Sequence, residues 1–255
     1  MTLPSATHGL SGATSYTVLA GGADFRHELT IKRSRFITVL RRVETESAAR
    51  ELVTELRREF YDARHHCSAL VIGFSRGLQR SHDDGEPSGT AGAPMLDALL
   101  KRQTRPGGPT AESRTDLSDV CAVVVRYFGG VLLGAGGLVR AYSESVSAAL
   151  ALAPLVRRQR LRLFTVAVPH GDAGRLEHEL RNAGFTLTGN SYDAVATHLG
   201  LALDDDGAVI AAAVDRLAAL TAGRFTLAEA GADQDGTIWI DAPIPPAQLH
   251  IPAVQ

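Results

Sequence analysis

Residues 83–96 read DDGEPSGTAGAPML and residues 123–142 read VVVRYFGGVLLGAGGLVRAY, and folding alone explains neither segment. Three acids, two arginines and two tyrosines lie among many glycines in these segments. Because glycine costs backbone entropy, such clusters indicate positive φ angles or a backbone that another group approaches closely. The two segments therefore predict tight loops whose polar side chains the rest of the chain is built to present.

The sequence around these segments predicts an α+β domain over residues 26–156. Residues 45–60 place apolar side chains four positions apart, which is the pattern of an amphipathic helix, and Thr45 is a suitable N-cap. The expected strands lie at 26–31, 35–43, 68–74 and 119–128, and the other expected helices lie at 94–103 and 138–153. We expect residues 1–25, which lack periodicity, to form a flexible tail and residues 104–113 to form a polar loop.

A different pattern follows Pro154 and a run of arginines, and it predicts a second domain over residues 157–241. Its elements occur in the order β-α-β-β-α-β, which is the ferredoxin-like arrangement of helices over one face of a sheet. The expected strands lie at 161–168, 185–187, 194–203 and 224–229, and the expected helices lie at 172–183 and 208–221. Gly189-Asn190 is the predicted turn between the middle strands. Residues 237–241 are expected to add an edge strand and residues 242–255 to form a tail.

Composition indicates an ordinary globular protein of 255 residues, 45% of them hydrophobic, with an overall net charge of −2. No apolar run approaches the roughly 20 residues that cross a bilayer, and the first residues do not resemble a secretory signal. Cys67 and Cys121 fall in predicted strands and are expected to be core thiols. We therefore expect a cytoplasmic protein without a membrane partner.

Charge is distributed unevenly along the chain. Residues 163–255 contain four arginines and twelve acids, a net charge of −8, which leaves +6 for the remainder. A basic half beside an acidic half suggests that only the first half meets polyanions, although simple surface drift would give the same bias.

The acids of the first segment allow two interpretations. Asp83, Asp84 and Glu86 could bind a divalent cation or act as acid and base. His65, His66 and Cys67 could complete such a site if the two loops converge. Alternatively, the carboxylates could cap backbone N–H groups of the glycine turn and of the helix that begins near Pro94. The spacing matches no zinc template, so no metal or cofactor is assigned. The whole loop is a candidate site: Asp83, Asp84, Gly85, Glu86, Pro87, Ser88, Gly89, Thr90 and Gly92.

The glycines of the second segment also allow two interpretations. Free N–H groups at a helix N-terminus bind anions, and Arg126 and Arg140 flank this one. The alternative is a tight turn in which two backbones pack closely. A Walker lysine and a GxGxxG motif are both missing, which disfavours a specific nucleotide site.

A stretch of nucleic acid is the more plausible anion for these residues. Arg126 and Tyr127 could supply a guanidinium and an aromatic face to unstacked bases, whereas Phe128 is expected in the core. The candidate nucleic-acid or anion contacts are Lys32, Arg33, Arg35, Arg126, Tyr127, Gly129, Gly130, Gly134, Gly136, Gly137 and Arg140.

These motifs resemble the two signature segments of the IMPACT family, the bacterial YigZ type. Residues 31–37, IKRSRFI, look like the basic turn of that family, and residues 62–67, DARHHC, resemble its Asp-Ala-Thr-His-Asn-Cys segment. Arg64 and His66 depart from that segment, and Val125 stands where the family often has threonine. Asp62, His65 and Cys67 keep the family's residues and stay candidates.

The resemblance, which spans about residues 26–225, implies a first domain similar to domain 2 of ribosomal protein S5 and a ferredoxin-like second domain. Because both modules commonly contact structured RNA, it also implies an RNA- or ribosome-associated protein that modulates translation or the stress response without catalysis. Two alternatives stay open. One is a metal-assisted or acid/base enzyme that uses His65, Asp83, Asp84 and Glu86, and the other is an adaptor that binds a protein partner through the C-terminal domain.

Overall fold

The computed structural model describes residues 14–105, 113–230 and 236–244, and it is an α+β protein that divides into two compact units. Among these described residues, the first unit comprises those up to Arg157 together with Pro243 and Ile244, and the second comprises those from Arg158 to Ala242. The first unit contains β1 Ser15–Leu19, β2 Phe25–Ile31, β3 Ser34–Arg42, α1 Glu46–Glu59, β4 His65–Ile72, β5 Leu78–His82, α2 Gly92–Lys101, β6 Val120–Tyr127 and α3 Ala135–Leu152. The chain continues with β7 Leu155–Val168, α4 His170–Asn182, β8 Thr186–Tyr192, β9 Thr197–Asp204, α5 Gly207–Thr221, β10 Ala228–Glu229 and β11 Thr237–Pro243.

The first unit is built on an antiparallel sheet with the strand order β2-β3-β6-β4-β5. Helices α2 and α3 cover one face of the sheet, and α1 covers the other. Residues of β6 alternate between the two cores, so that Val124 packs with α2 and α3 whereas Val123 packs with α1. This burial on both faces explains why residues 120–125 are apolar without interruption.

Helix α1 of this unit, at Glu46–Glu59, lies where local sequence signals predicted a helix over residues 45–60. The Thr45 side chain accepts a hydrogen bond from the Ala48 N–H at 3.2 Å, so it is the N-cap of α1, as predicted. The apolar face of α1 buries Ala49, Leu52 and Leu56 against the sheet.

The prediction of a flexible tail over residues 1–25 is wrong from Ser15 onward. All five residues of β1 are buried, and the Tyr16 hydroxyl donates to Asp119 at 2.5 Å. A strand of five residues is too short for periodicity to show, and its partners lie about a hundred positions later in the chain. Residues 1–13 and 245–255 of the two predicted tails, and residues 106–112 of the predicted polar loop, lie outside the described residues.

The second unit contains one antiparallel sheet in which β7 pairs with β9 and β9 pairs with β8. Both β10 and β11 pair with β7. Helices α4 and α5 share one core with this sheet, in which Phe164, Leu176, Leu199 and Leu217 are buried.

Two predictions in the second unit need correction. Gly189-Asn190 is not the hairpin turn, because both residues lie inside β8 beside a β-bulge. The turn is formed instead by residues 193–196, where the Asp193 carboxylate accepts the N–H groups of Val195 and Ala196 at 2.7 Å each. The strand predicted at 224–229 is reduced to Ala228–Glu229.

Candidate functional site

The acidic loop, residues 83–92, is held by one of its own carboxylates. Asp83 accepts the N–H of Gly89 at 2.8 Å with one oxygen and the N–H groups of Ala91 and Gly92 at 3.0 and 2.8 Å with the other. Partial burial acts to raise the pKa of Asp83, but the three backbone donors outweigh it and hold that pKa below its usual value. Asp83 therefore caps α2 from outside the helix, as the structural interpretation predicted.

Asp84 fixes the loop to the first residues of β4. Its carboxylate pairs with Arg57 of α1 and accepts the backbone N–H of His66 at 2.6 Å. Its carbonyl oxygen lies 2.9 Å from Nδ1 of His65. Asp84 has a positive φ of 45°, so this arrangement holds a non-glycine residue in the left-handed region.

Glu86 lies in a buried polar network. Its Oε1 accepts Nη1 of Arg126 at 2.6 Å and the hydroxyl of Tyr142 at 2.8 Å. The side chains of Arg126 and Glu86 are only 7% and 4% exposed. Burial, followed by the neighbouring Cys67 and Glu86, raises the pKa of Tyr142 far above its usual range, and burial raises the pKa of Cys67 to about 12. Cys67 is therefore a protonated core thiol.

The three acids of the loop thus point to three different partners. Among the residues that the structure describes, no group of three His, Cys, Asp or Glu side chains is arranged to hold a metal ion. The other predicted loop residues complete the turns, and the Thr90 hydroxyl donates to the carbonyl of Pro87 at 2.7 Å. Gly85, Pro87, Ser88 and Gly89 are exposed.

Gly92 is required by close packing. A Cβ added to Gly92 would lie 2.7 Å from the backbone nitrogen of His82, so only glycine fits where α2 begins against β5.

The glycine segment contains both a tight contact and an open helix N-terminus. A Cβ at Gly129 would overlap the carbonyl group of Arg33, because the β2–β3 turn lies directly against it. Gly134 precedes α3, and no side chain within the described ranges caps that helix. Gly130 and Gly134 have positive φ angles, whereas Gly136 and Gly137 lie in the first turn of α3. The close-packing interpretation therefore holds at Gly129, and the N–H groups that begin α3 have no acceptor among the side chains that the structure describes.

The predicted cations fall into two groups. Arg126 is buried against Glu86, and Arg35 pairs with Glu28 while its guanidinium lies over the ring of Tyr127 at 5.3 Å. By contrast, Lys32, Arg33 and Arg140 are exposed and form no ion pair with a described residue. Lys32 and Arg33 form the two-residue β2–β3 turn, with φ angles of 44° and 69°.

Of the two aromatic residues at the end of β6, Tyr127 keeps its stacking role as a prediction, whereas the position expected of Phe128 needs correction. The Tyr127 hydroxyl donates to Asp62 at 2.7 Å, and Arg35 covers its ring. Phe128 is 50% exposed, so the expectation that it belongs to the core is wrong. Side chains alternate along a strand, so Phe128, one residue beyond the end of β6, follows the side of Arg126, whose guanidinium carbon lies 5.8 Å from the Phe128 ring. Phe128 is thus half exposed, with the Arg126 guanidinium over its ring.

A cleft of about 380 Å³ joins these parts of the first unit. It is lined by Arg64, His65, Glu86, Arg126, Phe128 and Leu132 and by the first residues of α3. Sequence reasoning missed Arg64, Phe128 and Leu132 as cleft residues. Phe128 and Leu132, the latter 85% exposed, could be recognised as cleft residues only from their solvent exposure in the structure. The volume is that of a small-molecule or single-base site.

The sequence predicted a protein partner for the second unit. Its helix α5 leaves Val209, Val214 and Leu220 exposed. That partner stays a prediction. None of the helices within the described ranges is long and apolar enough to cross a membrane.

Residues 32–150 match the family model of the Impact N-terminal domain. The chain is 44% identical over 172 residues to "IMPACT family member YvyE" of Bacillus subtilis, an alignment that covers 68% of this chain and 72% of that protein. It is 38% identical over 166 residues to "IMPACT family member YigZ" of Escherichia coli, covering 64% and 75% of the two chains. A solved structure titled "Crystal structure of an hypothetical protein" superposes with a TM-score of 0.53 at 33% identity, over 87% of this chain and all of the other.

Proposed function

Because this chain belongs to the IMPACT family, we propose that it is a cytoplasmic, RNA- or ribosome-associated protein that modulates translation or the stress response without catalysis. The first unit would resemble domain 2 of ribosomal protein S5. The second would be ferredoxin-like, and the antiparallel order β10-β7-β9-β8 around its β7 supports that assignment. Modules of both kinds commonly contact structured RNA, so the fold favours the proposal.

The observation that carries the proposal is the half-exposed aromatic ring of Phe128 beside the unpaired cations of the β2–β3 turn. Gly129, the next residue after Phe128, is in direct backbone contact with Arg33. An aromatic ring for a base and cations for the neighbouring phosphates are the two parts of a single-stranded nucleic-acid site.

The turn itself supports this interpretation. A two-residue hairpin turn with two positive φ angles favours Asn-Gly, because other residues are strained in the left-handed region. Lys32 and Arg33 occupy these positions with φ angles of 44° and 69° and form no ion pair with a described residue. Their charge therefore serves something other than folding, and the net charge of +6 on the chain outside residues 163–255 points the same way.

The experiment is a salt series of binding to purified ribosomes and to single-stranded RNA. The slope of log affinity against log salt concentration should be shallower by about 1.4 in the Lys32→Ala/Arg33→Ala variant, because each lost phosphate contact to a single strand reduces the slope by about 0.7. Phe128→Ala should weaken binding about 5- to 150-fold, since stacking of one base contributes about 1–3 kcal/mol.

Matched controls are available elsewhere on the chain. Arg50 and Arg58 lie exposed on α1, on the opposite face of the sheet, so Arg50→Ala/Arg58→Ala removes two charges without touching the site. Tyr192→Ala removes a 70% exposed aromatic ring from the second unit. Equal losses in the site variants and the controls, or binding that ignores salt, would refute the proposal.

An acid/base enzyme is the second candidate, because Nε2 of His65 faces the same cleft 3.9 Å from Oε1 of Glu86. Asp83 and Asp84 are excluded from that chemistry by their structural partners. If turnover of any substrate is detected, His65→Ala should abolish it, and turnover that survives this change would discard the enzyme.

A further inference from the structure

We propose that the cleft of the first unit takes an unpaired guanine base, held by Glu86 and His65 and stacked on Phe128. The proposal rests on the RNA-binding function above and names the part of the RNA that this cleft recognises. It starts from two hydrogen-bond acceptors in the cleft that the described residues leave unused.

The first unused acceptor belongs to Glu86. Both hydrogen bonds to this carboxylate, from Arg126 and Tyr142, go to Oε1. Oε2 accepts no hydrogen bond from a described residue, although the side chain is only 4% exposed and lines the cleft. Oε2 is thus the oxygen of Glu86 that stays accessible from the cleft, where it can accept an N–H or O–H group of a ligand.

The second unused acceptor belongs to His65. Its Nδ1 lies 2.9 Å from the carbonyl oxygen of Asp84, which can only accept, so Nδ1 carries the proton. In the neutral ring Nε2 is then an acceptor, and it lies 3.9 Å from Oε1 of Glu86 in the cleft wall. The cleft therefore presents two neighbouring acceptors.

The charge of the cleft selects a neutral donor. Arg126 already compensates Glu86, and Arg64 adds a further positive charge to the lining, so a cationic ligand is disfavoured. A phosphate is disfavoured inside as well, because it would meet the Glu86 carboxylate. What fits is a flat, uncharged ring with N–H groups, and the half-exposed Phe128 supplies its stacking face.

Among the RNA bases, guanine has the matching edge. Its N1–H and exocyclic N2 amino group are adjacent donors, whereas adenine, cytosine and uracil each present a donor beside an acceptor on that edge. Recognition of an unpaired base through this edge and a stacked aromatic ring is how proteins read single-stranded RNA. The neighbouring phosphates would then lie outside, towards Arg64 and the uncapped N-terminus of α3.

The test uses the full chain and labelled oligouridine decamers that carry one central guanosine, inosine or adenosine. Inosine keeps N1–H but lacks the N2 amino group, so it is the matched control for a single hydrogen bond. The guanosine oligomer should bind at least about 5-fold more tightly than the adenosine one, since two good base contacts discriminate by about 1–3 kcal/mol. The inosine oligomer should bind with an intermediate affinity.

Protein variants assign the two acceptors. His65→Ala should bring the guanosine and inosine affinities together while leaving the salt dependence unchanged. Glu86→Gln should remove most of the preference for guanosine over adenosine, and His65→Ala keeps the test decisive if the Glu86 variant fails to fold. If the protein binds free guanosine monophosphate but no RNA, the guanine site is retained and RNA is rejected as the molecule that supplies the base.

Two failures are distinguishable. Equal affinity for the three oligomers, with salt dependence retained, would overturn the guanine proposal and leave the RNA-binding function standing. If no oligomer and no ribosome binds at low salt, the proposed function itself is wrong.

Discussion

Removing the Glu86 carboxylate tests the energetics on which the site depends. In Glu86→Ala, the guanidinium of Arg126 loses its counter-charge in a place where that side chain is 7% exposed. Removing one partner of a buried ion pair costs about 3–5 kcal/mol, because the remaining charge is left desolvated. Tyr142 also loses the acceptor of its hydroxyl, a buried group worth about 1–3 kcal/mol.

These two losses share one carboxylate and do not add fully. Arg126 keeps a contact at 3.4 Å between Nη2 and Ser34 Oγ, which offsets part of the penalty. We therefore expect the unfolding free energy of the first unit to fall by about 4 kcal/mol in Glu86→Ala. The double variant Glu86→Leu/Arg126→Leu should lose far less, because a buried ion pair can be replaced by apolar side chains at little cost.

Urea denaturation followed by far-ultraviolet circular dichroism measures this change, and the chain offers an internal control. The single tryptophan, Trp239, lies in the second unit, so its fluorescence reports that unit separately. If the unfolding free energy of Glu86→Ala falls by less than about 1 kcal/mol, with an unchanged dependence of that free energy on urea concentration, the argument that Glu86 and Arg126 form a buried, mutually dependent pair is refuted. A double variant less stable than Glu86→Ala would refute it too.

Three further predictions concern stability and use the same urea measurement. Gly129→Ala should destabilise the first unit by about 3 kcal/mol, since its Cβ would overlap the Arg33 carbonyl. Gly136→Ala has open space around its Cβ and should stabilise α3 by about 0.5–1 kcal/mol. Equal effects of the two substitutions would contradict the close approach of Arg33 to Gly129. Asp83→Ala should cost about 2 kcal/mol because three N–H groups lose their acceptor, and a loss near zero would show that water replaces it. Burial, then Arg57, lowers the pKa of His66 below its ordinary value. Below about pH 6.5 the unfolded chain therefore binds a proton at His66 that the folded chain does not bind, so the free energy of unfolding decreases as the pH is lowered. His66→Asn should reduce the difference in stability between pH 7 and pH 5.5. An unchanged difference would assign the pH dependence to other groups.

Sequence periodicity was sufficient for most elements of the fold because their signals are local. Helix α1 could be predicted from its N-cap Thr45 and the spacing of Leu52 and Leu56, all within one segment. Strand β1 could not, because its burial depends on partners such as Asp119, which lies 103 positions from Tyr16.

The candidate site was located by composition, but the roles of its residues were not. Asp83, Asp84 and Glu86 are equivalent acids in the sequence, and they differ only in what the fold brings to each. Arg126 reaches Glu86 from 40 positions away, and no local pattern says which of the three acids it meets. The same limit applies to the aromatic residues, since the sequence does not reveal which of Tyr127 and Phe128 is the more exposed.

The carboxylates of Asp83 and Glu86 differ in whether the fold alone explains their presence. Asp83 uses both oxygens on backbone N–H groups, so its presence follows from the need to hold the loop and α2 together. Glu86 uses one oxygen only, in an ion pair that apolar residues could replace at little cost in stability. A buried charge that folding does not require, with an acceptor directed at a cleft, is better explained by a ligand than by the fold. The Glu86→Leu/Arg126→Leu variant separates these explanations, because we expect it to fold and yet to lose its preference for guanosine. A variant that folds and retains the preference would place recognition elsewhere on the first unit.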